Sequence, residues 1–150
     1  MSEQHEAQNA TGRDFESSEV LGAAIEVHRN LGRGFPEEVY LEALCLELAL
    51  RDLPFQREDN IPAFYKGQEL DCDYRAGVLC FGSLLVEPRA QMELTDYDEG
   101  PVLNYLRQTK IERALLINFG TPKLQIKRLI YSAAYRQQRE NARMTDSLES

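Results

Sequence analysis

The sequence predicts an α/β domain, a mixed β-sheet flanked by helices. Three observations lead there. Residues 17–53 repeat apolar side chains at three- and four-residue spacing. Residues 55–88 and 113–130 hold short runs of β-branched and aromatic residues separated by turn signals, and one helical stretch stands between those runs. Helices, a meander, a helix and two more strands in this order build a mixed sheet.

Each element has its own reason. Val20, Leu21, Ala24, Ile25, His28 and Leu31 form one helical stripe, with Ser17 as a good N-cap and Glu19 in the first turn. Gly32 ends that helix. In "GRGFPEEVYLEALCLELALRD", Pro36 suits a first helical position, and Glu37 and Glu38 sit at the positive end of the helix dipole. Beyond Val39 this segment is apolar around much of its circumference, which predicts burial on more than one side. Pro54 stops it. Strands follow near 55–58, 61–65, 72–80 and 84–88, a helix from Pro101 to Lys110, and strands near 113–118 and 124–130. Residues 1–16 read as a disordered polar tail, 17–131 as the domain, and 132–150 as a trailing helix or flexible tail.

Composition narrows the function. With 150 residues the chain suits one domain with a sizeable core, and it has no long apolar run for a membrane span and no signal-peptide pattern at its start. The cytoplasm is the expected compartment. Cys45, Cys72 and Cys80 have no zinc-like spacing and read as small hydrophobes or spare thiols. His28, on a helix face beside Val27, reads as a structural histidine. The net charge of −8 opposes general affinity for a polyanion. It is unevenly spread: residues 1–102 hold 8 basic and 21 acidic side chains, whereas 103–143 hold 9 basic ones against Glu112 and Glu140. That stretch is the candidate for weak nucleic-acid contact, or simply a solvated face that pairs with the acidic half.

The stretch "LLVEPRAQMEL" carries the chemistry. Glu87 and Arg89 stand two apart, so on a strand they point the same way. Between them Pro88 interrupts a strand pattern. "LGRGFPEEVY" has Gly34, Glu37 and Tyr40 in the spacing G-x-x-E-x-x-Y, and "LNYLRQTKIERALLINFGTPKLQIKRLI" closes the domain. Together with "DYRAGVLCFGSLLVEPRA", these phrases resemble the GxxExxY family, a branch of the PD-(D/E)XK nuclease-like superfamily, over about residues 18–131.

The resemblance implies a restriction-endonuclease-like core in which an aspartate and the glutamate of Glu-x-Lys hold Mg²⁺ on neighbouring strands. Glu87 matches that glutamate, Glu37 and Tyr40 the family signature, and Tyr105 the helix tyrosine. Three positions depart from the pattern. Gly77 stands where the strand aspartate is expected and offers no ligand. Arg89 stands for the lysine and keeps its proton near neutral pH. Pro101 stands where relatives tend to have glutamine. Asp73 would lie about 13 Å back along the strand, too far to replace the missing acid.

These departures predict a non-catalytic domain with no cofactor, acting by binding a protein or nucleic-acid partner. The alternative is residual Mg²⁺- or Mn²⁺-dependent phosphodiester hydrolysis, with Glu37 and Glu87 as metal ligands, Arg89 as an electrostatic clamp and Tyr105 beside them. In either case Glu37, Glu87, Arg89 and Tyr105 are expected to converge on one cleft with Gly77 facing it. Glu37 also reads as a helix-dipole charge, the tyrosines as core aromatics, and Glu87 with Arg89 as a simple ion pair.

Overall fold

The computed structural model describes residues 2–149, and side chains from Phe15 to Thr145 apart from Arg136 and Arg139. The elements in order are α1 (Ser2–Leu31), α2 (Glu37–Leu50), β1 (Phe55–Arg57), β2 (Ile61–Tyr65), β3 (Gln68–Tyr74), β4 (Val78–Cys80), β5 (Leu84–Arg89), α3 (Asp96–Thr109), β6 (Arg113–Asn118), β7 (Gln125–Ile130) and α4 (Ala133–Glu149). Five strands form a mixed sheet in the order β1-β4-β5-β6-β7, and β2 and β3 form a separate hairpin. β5 and β6 are parallel, and the other neighbours in the five-stranded sheet are antiparallel. A parallel pair needs a crossover, and α3 supplies it. This is the restriction-endonuclease-like architecture that the pattern predicts.

Strand alternation sorts the core into two layers. Leu84, Val86, Leu115 and Ile117 face α1 and α2, where Val20, Ala24, Tyr40, Leu44 and Leu48 cover them. Leu85, Ala114 and Leu116 face the other way, beneath Val102, Tyr105 and Leu106 of α3. Glu87 and Arg89 continue the phase of Leu85. The sheet therefore delivers both side chains to the α3 layer. Among the described residues no helix is long and apolar enough to cross a membrane.

Several expectations need correction. Helix α1 begins at Ser2, so residues 2–16 are helical and Ser17 is a buried interior position. Helix formers such as Glu3, Gln4, Ala7 and Ala10 precede it without a proline. Glu16 is tied to the sheet through Arg113 at 2.8 Å. Helix α3 likewise starts earlier than Pro101, at Asp96, because Thr95 and Asp98 cap it: the Asp98 carboxylate accepts the Thr95 N–H at 2.8 Å. Helix α2 is buried on one side only, and Leu46 and Leu50 remain 62% and 70% exposed. The expected strand 72–80 is two strands in different sheets. The chain breaks between Tyr74 and Val78, where Glu58 brackets it: Ala76 N–H donates to Glu58 O at 2.9 Å, and Glu58 N–H donates to Gly77 O at 3.1 Å. Asp73 thus belongs to the hairpin, opposite Pro62, and shares no strand with position 77. The trailing segment is helical over Ala133–Glu149.

Candidate functional site

Residue 88 is a proline that the strand tolerates. Phe119 N–H donates to Arg89 O at 2.8 Å, so residue 89 turns its backbone towards β6. By alternation residue 88 turns the other way, towards β4, whose pairing with β5 runs only from Val86 back to Leu84. The missing Pro88 N–H therefore leaves no ladder bond unmade, as at an edge.

Both oxygens of the Glu87 carboxylate accept hydrogen bonds. One oxygen accepts the Gly77 N–H at 2.9 Å and the other accepts Arg89 Nη1 at 2.8 Å. Arg89 Nη1 also lies 3.7 Å from Glu37, and its Nε lies 3.4 Å from Asp98. The guanidinium is only 15% exposed, with Glu87 at 12% and Asp98 at 10%. One cation thus stands among three carboxylates from α2, β5 and α3. A buried guanidinium holds such a position only with its charge matched and its donors used.

Asp98 is a site residue that the motif comparison missed. It sits in the first turn of α3, where Gln91 Nε2 donates to its Oδ1 at 2.7 Å. Gln91 is itself held by the fully buried Asn118, which accepts Gln91 N–H at 2.9 Å and donates to Gln91 O at 3.0 Å. The sequence signal was there: Thr95-x-x-Asp98 reads as a capping box. Its second role, facing Arg89, was not legible.

Electrostatics follow the geometry. Burial pushes the Glu87 carboxyl above its ordinary value, with Glu37 adding to the rise, while Arg89 and the Gly77 N–H pull it down without cancelling the effect. Asp98 moves the opposite way. Burial alone would raise it, but hydrogen bonds from Thr95 and Gln91 and the charge of Arg89 together outweigh burial and lower it. The pH consequences differ in sign. Asp98 contributes stability above its ordinary value that is lost as pH falls through its lowered one. Glu87 contributes a loss of stability as pH rises from 4.5 towards its raised value. Glu87→Gln is therefore expected to remove that loss, giving a higher stability than the parent's on the neutral side relative to pH 4, measured by urea denaturation across pH. Glu87→Ala leaves the Gly77 N–H and Arg89 without this acceptor and is expected to cost about 2–3 kcal/mol.

The G-x-x-E-x-x-Y residues divide their work. Gly34 adopts φ 114°, which favours glycine. The Tyr40 hydroxyl donates to Gly32 O at 2.6 Å and accepts the Phe35 N–H at 3.3 Å, while its buried ring stacks on Phe119 at 4.8 Å. These two residues hold the α1–α2 turn, and that turn sets the start of α2, where Glu37 faces Arg89. Tyr40→Phe is expected to cost about 1 kcal/mol, read by the same denaturation experiment.

Tyr105 does not join the cluster. It is buried under α3, and burial raises its hydroxyl pKa, with Glu58 and Tyr74 as charged or titratable neighbours. Val102, Tyr105 and Leu106 share the core face of the helix, so the tyrosine points into the sheet. Pro101 instead lines a cleft of about 570 Å³ together with Glu87 and Arg89. His28 is structural, with Nε2 at 3.0 Å from Thr121 O. Cys45 and Cys80 are buried, and burial pushes the Cys80 thiol up to about 12; Cys72 is an exposed thiol. In the basic stretch Arg113 pairs with Glu16 and Lys127 with Glu99, while the Arg136 and Arg139 side chains lie outside the described residues.

The residues present do not fit a divalent metal. Such an ion needs several oxygen ligands with room between them. Glu87 spends both oxygens on protein donors, position 77 has no side chain, and a guanidinium fills the space between the carboxylates. Among the described residues no group of three or more His, Cys, Asp or Glu side chains is arranged to hold a metal.

Comparison with known proteins agrees with the architecture. No curated protein and no solved structure gives a significant match. The sequence profile described as the PD-(D/E)XK nuclease superfamily matches residues 14–129. That span runs from within α1 into β7, takes in most of the chain and includes every residue of the carboxylate–guanidinium cluster, so the chain belongs to the PD-(D/E)XK nuclease superfamily.

Proposed function

We propose that this is a non-catalytic member of the superfamily, of the GxxExxY branch, whose domain over residues 17–131 acts by binding a protein or nucleic-acid partner. The observation that carries the reading is Arg89. Its guanidinium lies against Glu37, Glu87 and Asp98, so a fixed side-chain cation takes the place among the acids that a metal would need. Arginine keeps its charge at every physiological pH and does not serve as a base. With Gly77 supplying no acid, Glu37, Glu87 and Arg89 together make neither a water activator nor a full ligand set for a metal-dependent nuclease.

Purified protein is expected not to cleave single- or double-stranded DNA or RNA in Mg²⁺ or Mn²⁺. Cleavage that disappears in Glu87→Ala would overturn the reading. Binding to nucleic acid is expected to be weak and lost at high salt, because the chain as a whole is acidic. Fluorescence anisotropy at low and high salt measures it, and tight binding that survives high salt contradicts it.

The second reading is Mg²⁺-dependent phosphodiester hydrolysis using Glu37 and Glu87. One observation favours it: both carboxylates approach the same Arg89 nitrogen, at 3.7 and 2.8 Å. It requires Arg89 to leave, and the cleavage assay separates the two readings.

A further inference from the structure

We propose that the outward face of α2 is a self-association surface, on which a second copy of this chain docks its own α2 antiparallel across a two-fold axis. The proposal does not depend on whether the Arg89 cluster is catalytic. It starts from a mismatch between α2 and its surroundings. A helix that is apolar around most of its circumference is normally buried on more than one side. Here Tyr40, Leu44 and Leu48 are fully buried against α1 and the sheet, whereas Val39, Leu46 and Leu50 are exposed.

The exposed side is ordered. Val39, Ala43, Leu46 and Leu50 follow one another at intervals of four, three and four residues, which aligns them as a stripe along the helix. The intervals read the same from either end. An antiparallel copy therefore meets the stripe in register, with Val39 opposite Leu50 and Ala43 opposite Leu46. Each level then sets a smaller side chain against a larger one, the alternation by which facing helices fill the space between them. An unrelated partner would not require that symmetry. Phe35 extends the exposed apolar surface past the start of the helix.

The charges agree with a second copy. The same axis sets Glu38 against Arg51 of the other copy. Glu38 is exposed and has no ion pair among the described residues. Glu42 falls opposite Glu47, but each is already neutralised within its own chain, by Arg57 at 2.5 Å and by Arg51 at 2.9 Å. A partner recognised by charge would need those carboxylates free.

Such a contact uses the same patch on both copies, so it closes at two. The stripe is only about 16 Å long, so the dissociation constant is expected to be on the order of 10 µM. Each copy carries a net charge of −8, so the copies repel at long range and salt should strengthen the dimer. Contact with a nucleic acid would respond to salt in the opposite direction.

Sedimentation velocity of the full chain from about 1 to about 300 µM, at low and high salt, tests the proposal. The expected result is monomer at the lowest concentration and dimer at the highest, shifted towards dimer by salt. Leu46→Glu is expected to stay monomeric throughout, and at low concentration its melting temperature should match the parent's, because Leu46 is exposed in the monomer. Tyr97→Glu, at an exposed residue of α3, should dimerise as the parent does. Orientation is read by disulfide trapping with a mild oxidant in a Cys72→Ser background, which removes the exposed native thiol. Val39→Cys and Leu50→Cys chains should cross-link to each other and not to themselves. Like positions would lie about 16 Å apart across the axis, whereas a disulfide needs Cα atoms within about 7 Å. The proposal is overturned if the parent is monomeric at every concentration, if Leu46→Glu dimerises like the parent, or if Tyr97→Glu abolishes association as well. Dimers that dissociate as salt rises overturn it too, as does a mixture of the two cysteine variants that fails to cross-link or cross-links only like to like.

Discussion

Arg89→Ala is expected to cost about 3–5 kcal/mol of stability and to respond to divalent cations more strongly than the parent does. In the parent the guanidinium is nearly buried and faces Glu37, Glu87 and Asp98. Its removal leaves Glu87 and Asp98 nearly buried beside each other's charge with no cation between them. Uncompensated buried charge is among the few mechanisms that give losses this large. Glu87, already raised by burial, loses the partner that holds it down and should take up a proton more readily still. A cation that binds only the folded variant then restores stability by mass action. Urea denaturation with Mg²⁺ or Mn²⁺, compared with sodium salt at equal ionic strength, reads both effects. Arg89→Ala as stable as the parent would mean that the cluster is not an ion network. Recovery equal in sodium and magnesium would mean general screening and no localised cation place.

The part of this site that was legible in the sequence came from periodicity. Alternation put Glu87 and Arg89 on one face, and the structure joins them at 2.8 Å. Helix phase placed Glu37 and Tyr40 together on α2, but it did not say that the tyrosine serves the preceding turn while the glutamate reaches β5. Tyr105 shows the limit of carrying a motif position across. The spacing gave its place on α3, and the direction of its side chain followed from Val102 and Leu106, which share its face. The break at 75–77 was not legible because residues 72–80 look strand-like throughout. What ends the strand is a distant backbone partner, Glu58. Helix α2 misled in a different way: its leucines ring the helix, yet the fold offers α1 and the sheet on one side only.

Gly77 is the position where sequence comparison and structure differ most in what they imply, and Gly77→Asp gives the second large effect. Compared with the family pattern, glycine looks like an acid that is missing and can be put back. The packing says otherwise. A Cβ at residue 77 falls 2.1 Å from Val86 O and 2.9 Å from Pro88 Cδ. The nearer atom is backbone in a central strand, so the clash cannot be relieved by rotating a side chain. Gly77→Asp is therefore expected to cost about 3 kcal/mol or more, the upper range for overpacking. Gly77→Ala should cost nearly as much, since the first carbon already collides. The displaced segment would also withdraw the Gly77 N–H from Glu87, loosening the acceptor that holds Arg89. The triple change Gly77→Asp, Pro88→Leu, Arg89→Lys removes the Pro88 contact but leaves Val86 O in place. It is expected to lose stability and to gain neither cleavage nor the metal affinity of a working nuclease. Denaturation of Gly77→Ala decides the matter before any activity is measured. If alanine is tolerated within about 0.5 kcal/mol, the ordinary range for uneventful substitutions, the strands part easily and the acid is merely absent.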